Sequence, residues 1–546
     1  MTITRYFKTH VCRVAFGIIL LGIMTGCADG NDTVPVVGKP QPDNPRVDGP
    51  ISGGGGAQCC IISFGPLQVD LREQGYTPGT PFYAGLNFDE AEVGYREAEY
   101  FISGTATAYM PVGPLTEDGV WAAEPADSAA YVSRIVVLRP ENAADFNGTV
   151  VVEWFNVSGG LDAAPDWTQM QTELRREGYA WVGVSAQSAG IEGGGAFDLP
   201  LKLIDPERYG GLMHPGDSFS YDIFSQAAQA VRRPSGVDPL DGLQVERMIA
   251  VGQSQSAGRL TTYYNAVQPL VDVFDGFVIH SRGDGSSPLS QEPQVAAPTP
   301  SPTLVRTDLP APALGLQTET DLFRLGSVAM RQADAPSYRL WEVAGAAHSD
   351  VYTTIKGPLD RGTDPAVADV VSNKDARPPF IQCELPVNDG PGHWLAKAAV
   401  AAVDTWIRSG QAPATAPRLA LNEQGTGFAL DELGNALGGI RTPYVDAPVA
   451  ILSGEGQPQA SVFCGLFGTT QLFDTATLSM LYPTQGSYIN AVDTSTDAAV
   501  AEGFLRPADA ELIKQRARSS GIGALTGGLA FPPVGGAAQV QFDSAR

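Results

Sequence analysis

Residues 245–260 read Val-Glu-Arg-Met-Ile-Ala-Val-Gly-Gln-Ser-Gln-Ser-Ala-Gly-Arg-Leu, an apolar strand that enters a tight turn and then a helix. Such a turn lifts a serine hydroxyl above the end of its strand, and Ser254 stands at the apex. The chemistry it suits is attack on an acyl carbon. Small residues are needed two positions to either side, where the strand and helix backbones approach closely. Gly252 and Ser256 fill those places, followed by Ala257 and Gly258. The amide of Gln255 opens the helix and points where an oxyanion would form. A serine-rich turn that merely caps a helix is the plainer reading. The strand before it and the helix after it weigh against that.

A serine is a weak nucleophile at its own pKa and needs a base, normally histidine. Of five histidines, His10 falls in the N-terminal leader, and His214, His280 and His393 read as structural or as pocket residues. His348 closes Trp-Glu-Val-Ala-Gly-Ala-Ala-His, a strand followed by a loop of small residues, and is the expected base. The acid is expected between serine and histidine. Ala313-Leu-Gly-Leu-Gln-Thr-Glu-Thr-Asp321 offers both Glu319 and Asp321. In a G-x-x-D turn the aspartate follows the strand-ending glycine by three positions, and Thr318 holds the glycine's place here. That register selects Asp321, with Glu319 as the alternative. Its task would be to fix the His348 tautomer and stabilise the imidazolium. A second oxyanion donor is expected from Trp154-Phe-Asn-Val-Ser-Gly-Gly160, at the amide of Asn156 or Val157, where glycines permit close approach.

These groups need a scaffold of strands with loops at one end. Strand candidates are 100–109, 131–138, 149–155, 180–185, 247–252, 274–279, 313–317 and 339–343. Several are continuous apolar runs, as strands buried on both faces require. Helical periodicity appears at 167–177 and 221–232, then at 392–409 before Gly410, and again near 508–518. Strands alternating with helices give an α/β protein. The order Ser254, Asp321, His348 agrees with the α/β-hydrolase order and with neither common serine-protease order. The expected fold is therefore an α/β-hydrolase: an eight-stranded, mostly parallel sheet with flanking helices, insertions, and a C-terminal extension or lid. Residues 284–310, rich in Ser and Pro, read as a long surface insertion.

The 546 residues carry a formal charge of −25, which argues against nucleic acid as a partner. Arg5, Lys8 and Arg13 precede a short apolar run, Val14–Met24, well under the ~20 residues a membrane-spanning helix needs. Met24-Thr-Gly-Cys27 resembles a bacterial lipobox, which implies export and a lipid on Cys27. Ordinary signal cleavage with a bystander cysteine is the alternative. The domain reading is a lipoprotein signal at 1–26, a Gly/Pro-rich linker at 27–57, the hydrolase domain at 58–410 and an extension at 411–546. Membrane contact is expected through the lipid anchor only, with the protein in the cell envelope, facing the periplasm or at the cell surface. Cys12 leaves with the signal. Adjacent Cys59 and Cys60 bond to each other only with strain, which favours a partner elsewhere for one of them, and Cys383 with Cys464 is the preferred pair. No Cys or His spacing suits zinc, Gly193–Gly195 lacks the Lys-Ser/Thr sequel of a phosphate loop, and no dinucleotide fingerprint is present. Neither metal nor cofactor is expected.

Several segments together carry a resemblance. They are 97–106, 153–159, His214-Pro-Gly-Asp217, 252–259, 342–348 and Asn388-Asp-Gly-Pro391. The chain resembles a bacterial family described only as "alpha/beta hydrolase domain-containing", over most of its length from about residue 60. The resemblance implies the fold and a serine-hydrolase activity, and no particular substrate. The leading expectation is hydrolysis of a small-molecule or polymeric carboxylic ester through an acyl-enzyme. An acyltransferase or peptidase would use the same residues. A catalytically silent, ligand-binding lipoprotein is the competing class.

Overall fold

Every residue of Thr149–Trp154 is buried, as a strand covered on both faces must be. In the computed structural model this strand lies within a ten-stranded sheet. The structure describes residues 42–524, apart from 57–58, 65–66, 74–75, 87, 195–197, 379–382 and 458–462. The signal segment, Cys27, the first part of the expected linker and Gly195 lie outside the described residues.

In chain order the strands are β1 (Arg46–Asp48), β2 (Ile61–Phe64), β3 (Leu67–Asp70), β4 (Tyr95–Pro111), β5 (Ala123–Pro140), β6 (Thr149–Trp154) and β7 (Ala180–Val184). They continue with β8 (Ser235–Gly236), β9 (Arg247–Gln253), β10 (Gly276–His280), β11 (Ala313–Thr318), β12 (Tyr338–Val343), β13 (Ala450–Ser453) and β14 (Thr469–Leu472). The large sheet runs β12-β11-β10-β9-β6-β7-β5-β4-β1-β8. From β12 to β7 all neighbours are parallel, while β5 pairs antiparallel with β7 and with β4. This is the expected α/β-hydrolase fold, and each of the eight predicted strands is present.

The sheet has ten strands rather than eight. Arg46, Val47 and Asp48, from the stretch read as linker, pair antiparallel with Ser103, Ile102 and Phe101 of β4. Ser235 and Gly236 then extend the edge beyond them. Val47 is fully buried, so one apolar residue among glycines and prolines suffices to dock the segment on an open edge. The glycine run is docked as well. Gly55 N donates to Asp205 Oδ2 at 2.7 Å, and Arg208 Nη1 donates to the Gly53 carbonyl at 2.7 Å.

Helices cover both faces. Ser220–Arg232 and Gln255–Thr262 pack on one, with Phe224, Ala257 and Leu260 in a core shared with Val150, Val152 and Ala250. Pro165–Arg176 and Gly392–Ser409 pack on the other, against Val151, Ile249 and Val251. Residues 284–310 are not merely superficial, since Leu289 and Val305 are buried in the first core.

The described part of the extension wraps around the second core. Tyr482, Tyr488, Val492, Phe504, Leu512 and Ile513 join Trp341, Val343 and Trp394 there. At about 1.5–3 kcal/mol for each large apolar side chain fully buried, these residues hold the extension as part of the domain. Cys383 is bonded to Cys464, as expected. Cys59 and Cys60 are bonded to each other, against the expectation that one of them pairs elsewhere. Among the described residues no helix is long and apolar enough to cross a membrane.

Candidate active site

Ser254 sits between β9 and the helix Gln255–Thr262 with φ 62° and ψ −119°. A residue with a side chain pays for this left-handed conformation in strain, which persists only where its surroundings impose it. They do so here. Ser254 N donates to the His280 carbonyl at the end of β10 at 2.9 Å. A Cβ on Gly252 would stand 3.2 Å from Ser256 and 3.0 Å from Leu260, which explains the need for small residues around the turn. The buried Ser256 donates from Oγ to the Phe155 carbonyl at 3.2 Å, so strand, elbow helix and the loop after β6 are locked together. Ser254 itself is half-buried.

His348 follows β12. Its Nδ1 lies 2.6 Å from Asp321 Oδ1, at the start of the short helix Glu319–Phe323. The carboxylate accepts, so Nδ1 carries the proton and Nε2 is the basic nitrogen. Asp321 is fully buried, and its Oδ2 accepts from Thr318 N at 2.6 Å and Thr318 Oγ1 at 2.8 Å. Threonine in the glycine's place therefore supplies a second donor that fixes the carboxylate. The His348 carbonyl accepts from Gln253 Nε2 at 2.8 Å, which ties the His348 loop to the residue preceding Ser254.

Glu319, the alternative acid, is placed differently. Its oxygens accept the amides of Gly345 at 2.6 Å and Gly454 at 2.8 Å, clamping the base loop to the extension. Burial pushes its carboxyl up to about 7 against the lowering effect of those two amides. Beside it, Thr320 Oγ1 donates to the Gly454 carbonyl at 2.6 Å and accepts the His348 amide at 3.2 Å.

The two candidate amides after β6 are not equivalent. Asn156 N already donates to the Ala163 carbonyl at 2.9 Å, and its Nδ2 holds the Gln253 carbonyl at 3.0 Å. Asn156 is thus a brace between this loop and the elbow, and its amide is not available. Val157 N has no acceptor among the described residues. Gln255 N opens its helix, where no intrahelical acceptor exists.

The other described histidines are engaged elsewhere. His214 Nε2 donates to the Ala186 carbonyl at 2.9 Å and its Nδ1 accepts from Gly216 N at 3.2 Å, while burial pushes its pKa down. Its neighbour Asp217 accepts Arg259 Nη2 at 2.7 Å, which joins the His-Pro-Gly-Asp segment to the elbow helix. His393 stacks on Tyr352 at 3.6 Å, and burial drives its pKa well below the ordinary value. His280 was not expected to have a carboxylate partner, yet its Nδ1 lies 2.8 Å from the buried Asp166. No motif joins these two residues. Glu153 stands nearby, accepting the Asp166 amide at 3.0 Å, the Trp167 amide at 2.7 Å and Trp181 Nε1 at 3.0 Å. It anchors the helix Pro165–Arg176 beneath the site. Burial, reinforced by Asp166, raises its pKa well above the usual carboxylate range. Among the described residues no group of three or more His, Cys, Asp or Glu side chains is placed to hold a metal ion.

Solved structures similar to this chain include a glucuronoyl esterase from Solibacter usitatus, at 11% identity over 46% of this chain and 77% of that one, with a TM-score of 0.25. A rice cell wall degrading esterase from Xanthomonas oryzae matches at 15% identity over 34% of this chain and 42% of that one, with a TM-score of 0.20. A serine hydrolase from Xanthomonas campestris matches at 13% identity over 44% of this chain and 83% of that one, with a TM-score of 0.22. Likenesses this distant assign neither substrate nor activity. No curated protein is similar enough to this chain to match it. The alpha/beta hydrolase domain family, in contrast, matches residues 47–515, a span that holds the elbow, the carboxylate helix and the histidine loop. The chain belongs to the alpha/beta hydrolase domain family.

Proposed function

We propose that the protein is a serine hydrolase that cleaves a carboxylic ester through an acyl-enzyme. Ser254 attacks the acyl carbon while His348 Nε2 takes its proton, and Asp321 stabilises the resulting imidazolium. The amides of Gln255 and Val157 receive the oxyanion. The leaving alcohol takes the proton back from His348. Water then attacks the acyl-enzyme with His348 again as base, releasing the acid and restoring Ser254. The observation that carries this reading is the 2.6 Å contact of His348 Nδ1 with Asp321, on a loop whose carbonyl is held by the residue before Ser254.

Mass spectrometry of the protein quenched during turnover of nitrophenyl acetate tests it. An acetyl group on Ser254, formed in a burst and lost on standing, is the expected result. Turnover without such an adduct, or an adduct on another residue, would overturn the mechanism. The Met24-Thr-Gly-Cys27 segment supports a second part of the proposal, export of the protein with a lipid anchor on Cys27. Cys27→Ser should then move the protein from the detergent phase to the aqueous phase on extraction. Partition unchanged by the substitution would refute the anchor.

A further inference from the structure

Among the described residues, the buried arginines Arg134, Arg139, Arg208, Arg259 and Arg306 each meet a carboxylate within 2.8 Å. Arg282 is equally buried, 1% exposed, and meets none. Neither Nη1 nor Nη2 has a hydrogen-bond acceptor among the described residues. Tyr338 and Asp284 act on it only through space, the Asp284 carboxylate being engaged by Ser301 Oγ at 2.6 Å. An arginine cannot shed its charge by deprotonating, so a guanidinium enclosed without an anion is costly.

Its place in the fold is specific. His280, whose carbonyl holds the Ser254 amide, is followed by Ser281 and Arg282 at the carboxyl end of β10. That strand lies between β9, which leads into Ser254, and β11, which leads into Asp321. Ligands of open α/β sheets bind outside the carboxyl ends of the strands. Ser281 N donates to the Leu316 carbonyl at 2.7 Å, and Gln317 Nε2 donates to the Arg282 carbonyl at 3.3 Å, so the segment is pinned. Ser281 has φ 52°, a second strained non-glycine residue beside the elbow. Its buried Oγ and Gln317 Oε1 also have no partner among the described residues. Ser281, Arg282 and Gln317 thus carry three unsatisfied polar groups, and Ser281 a strained backbone, at the carboxyl ends of β10 and β11, next to the strand that leads into Ser254.

We propose that Arg282 is an anion subsite that receives a free carboxylate carried by the ester substrate, with Ser281 Oγ as an additional donor. This rests on the serine-hydrolase reading and narrows its substrate to esters bearing a second, ionised acid group, in the acyl chain or in the alcohol. The planar guanidinium fork suits a carboxylate.

The test uses two matched pairs of esters with wild type, Arg282→Met and Arg282→Lys. The nitrophenyl half-ester of glutarate is set beside nitrophenyl pentanoate, and para-acetoxybenzoate beside phenyl acetate. In wild type the charged ester of one pair should be preferred in kcat/KM, and Arg282→Met should reduce that preference at least about tenfold, mainly through KM. Arg282→Lys, which keeps the charge and loses the fork, should fall between them. Equal preference in wild type and Arg282→Met for both pairs, with Ser254 still labelled by a fluorophosphonate, would overturn the subsite and leave the serine mechanism standing. A wild type that takes no fluorophosphonate would instead sink the serine mechanism. The subsite is then judged by free glutarate, which should raise the Tm of wild type and not of Arg282→Met. Absence of that rise in wild type would overturn it without any appeal to activity or to the folding of a variant.

Discussion

Gln253 Nε2 donates to the main-chain carbonyl of His348 at 2.8 Å, so the residue before Ser254 holds the loop that carries His348. The carbonyl of the same Gln253 accepts from Asn156 Nδ2 at 3.0 Å. One buried residue, through its side chain and its carbonyl, thus ties together the elbow, the His348 loop and the Asn156 loop. Gln253→Leu keeps the volume and removes the donor. Losing one such hydrogen bond, worth about 1–1.5 kcal/mol, should lower kcat by about tenfold with little change in KM. Steady-state kinetics beside a melting curve check this. A fall confined to Tm would show that Gln253 serves stability alone.

The two carboxylates of the Glu319–Phe323 helix separate by substitution. Asp321→Asn removes the acceptor that fixes the His348 tautomer, and kcat should fall by roughly three to four orders of magnitude. Glu319→Gln should leave kcat within about threefold, because its contacts are with Gly345 and Gly454 and not with His348. The reverse pattern in kinetics of the two folded variants would exchange their roles.

Glu319 also predicts a pH dependence of stability. Burial pushes its carboxyl up to about 7, above the value of about 4.3 expected in an unfolded chain. Between those values the folded protein binds more protons than the unfolded chain, so this group's contribution is present at low pH and lost as pH rises through about 7. The effect is at most about 4 kcal/mol. Glu319→Gln removes the titration, and the Tm difference between about pH 5 and about pH 8 should shrink relative to wild type. Parallel Tm profiles for the two proteins would contradict this.

The bond between Cys383 and Cys464 closes a loop with a sequence separation of 81 residues. Both of its ends border the base loop: Ser349 N donates to the Leu466 carbonyl at 3.1 Å and Val351 N to the Asn388 carbonyl at 2.8 Å. Loop-closure entropy puts its contribution at about 4.5 kcal/mol or less. Cys383→Ser with Cys464→Ser should lower the Tm and reduce activity at temperatures where the rest of the protein is still folded. Differential scanning calorimetry and initial rates on the same samples would reveal either outcome, and unchanged rates would separate the disulfide from the site.

The strands β6, β7 and β9 to β12 were legible because burial on both faces writes apolar runs into the sequence, whereas β4 is partly exposed and mixes polar with apolar residues. β1 was not, since a single apolar Val47 among glycines and prolines carries no periodicity; its pairing depends on the open edge of β4. The choice of Asp321 over Glu319 followed from turn register, which is a local property. Between Asn156 and Val157 the sequence left both open, because the difference lies in a carbonyl, that of Ala163, delivered by the returning chain. The pair His280 and Asp166, far apart in sequence, and the lone guanidinium of Arg282 are products of tertiary folding and leave no local pattern. Adjacent Cys59 and Cys60 misled for a related reason: strain disfavours their bond in isolation, and no sequence pattern says what partners the fold brings near.

The central claim is that Ser254 is an activated nucleophile. Exposure of wild type and a folded Ser254→Ala variant to a fluorophosphonate probe, with peptide mapping of the adduct, tests it most directly. The account predicts labelling of wild type alone, at Ser254. Labelling that survives in the variant, or a folded wild type that takes no label, would contradict it.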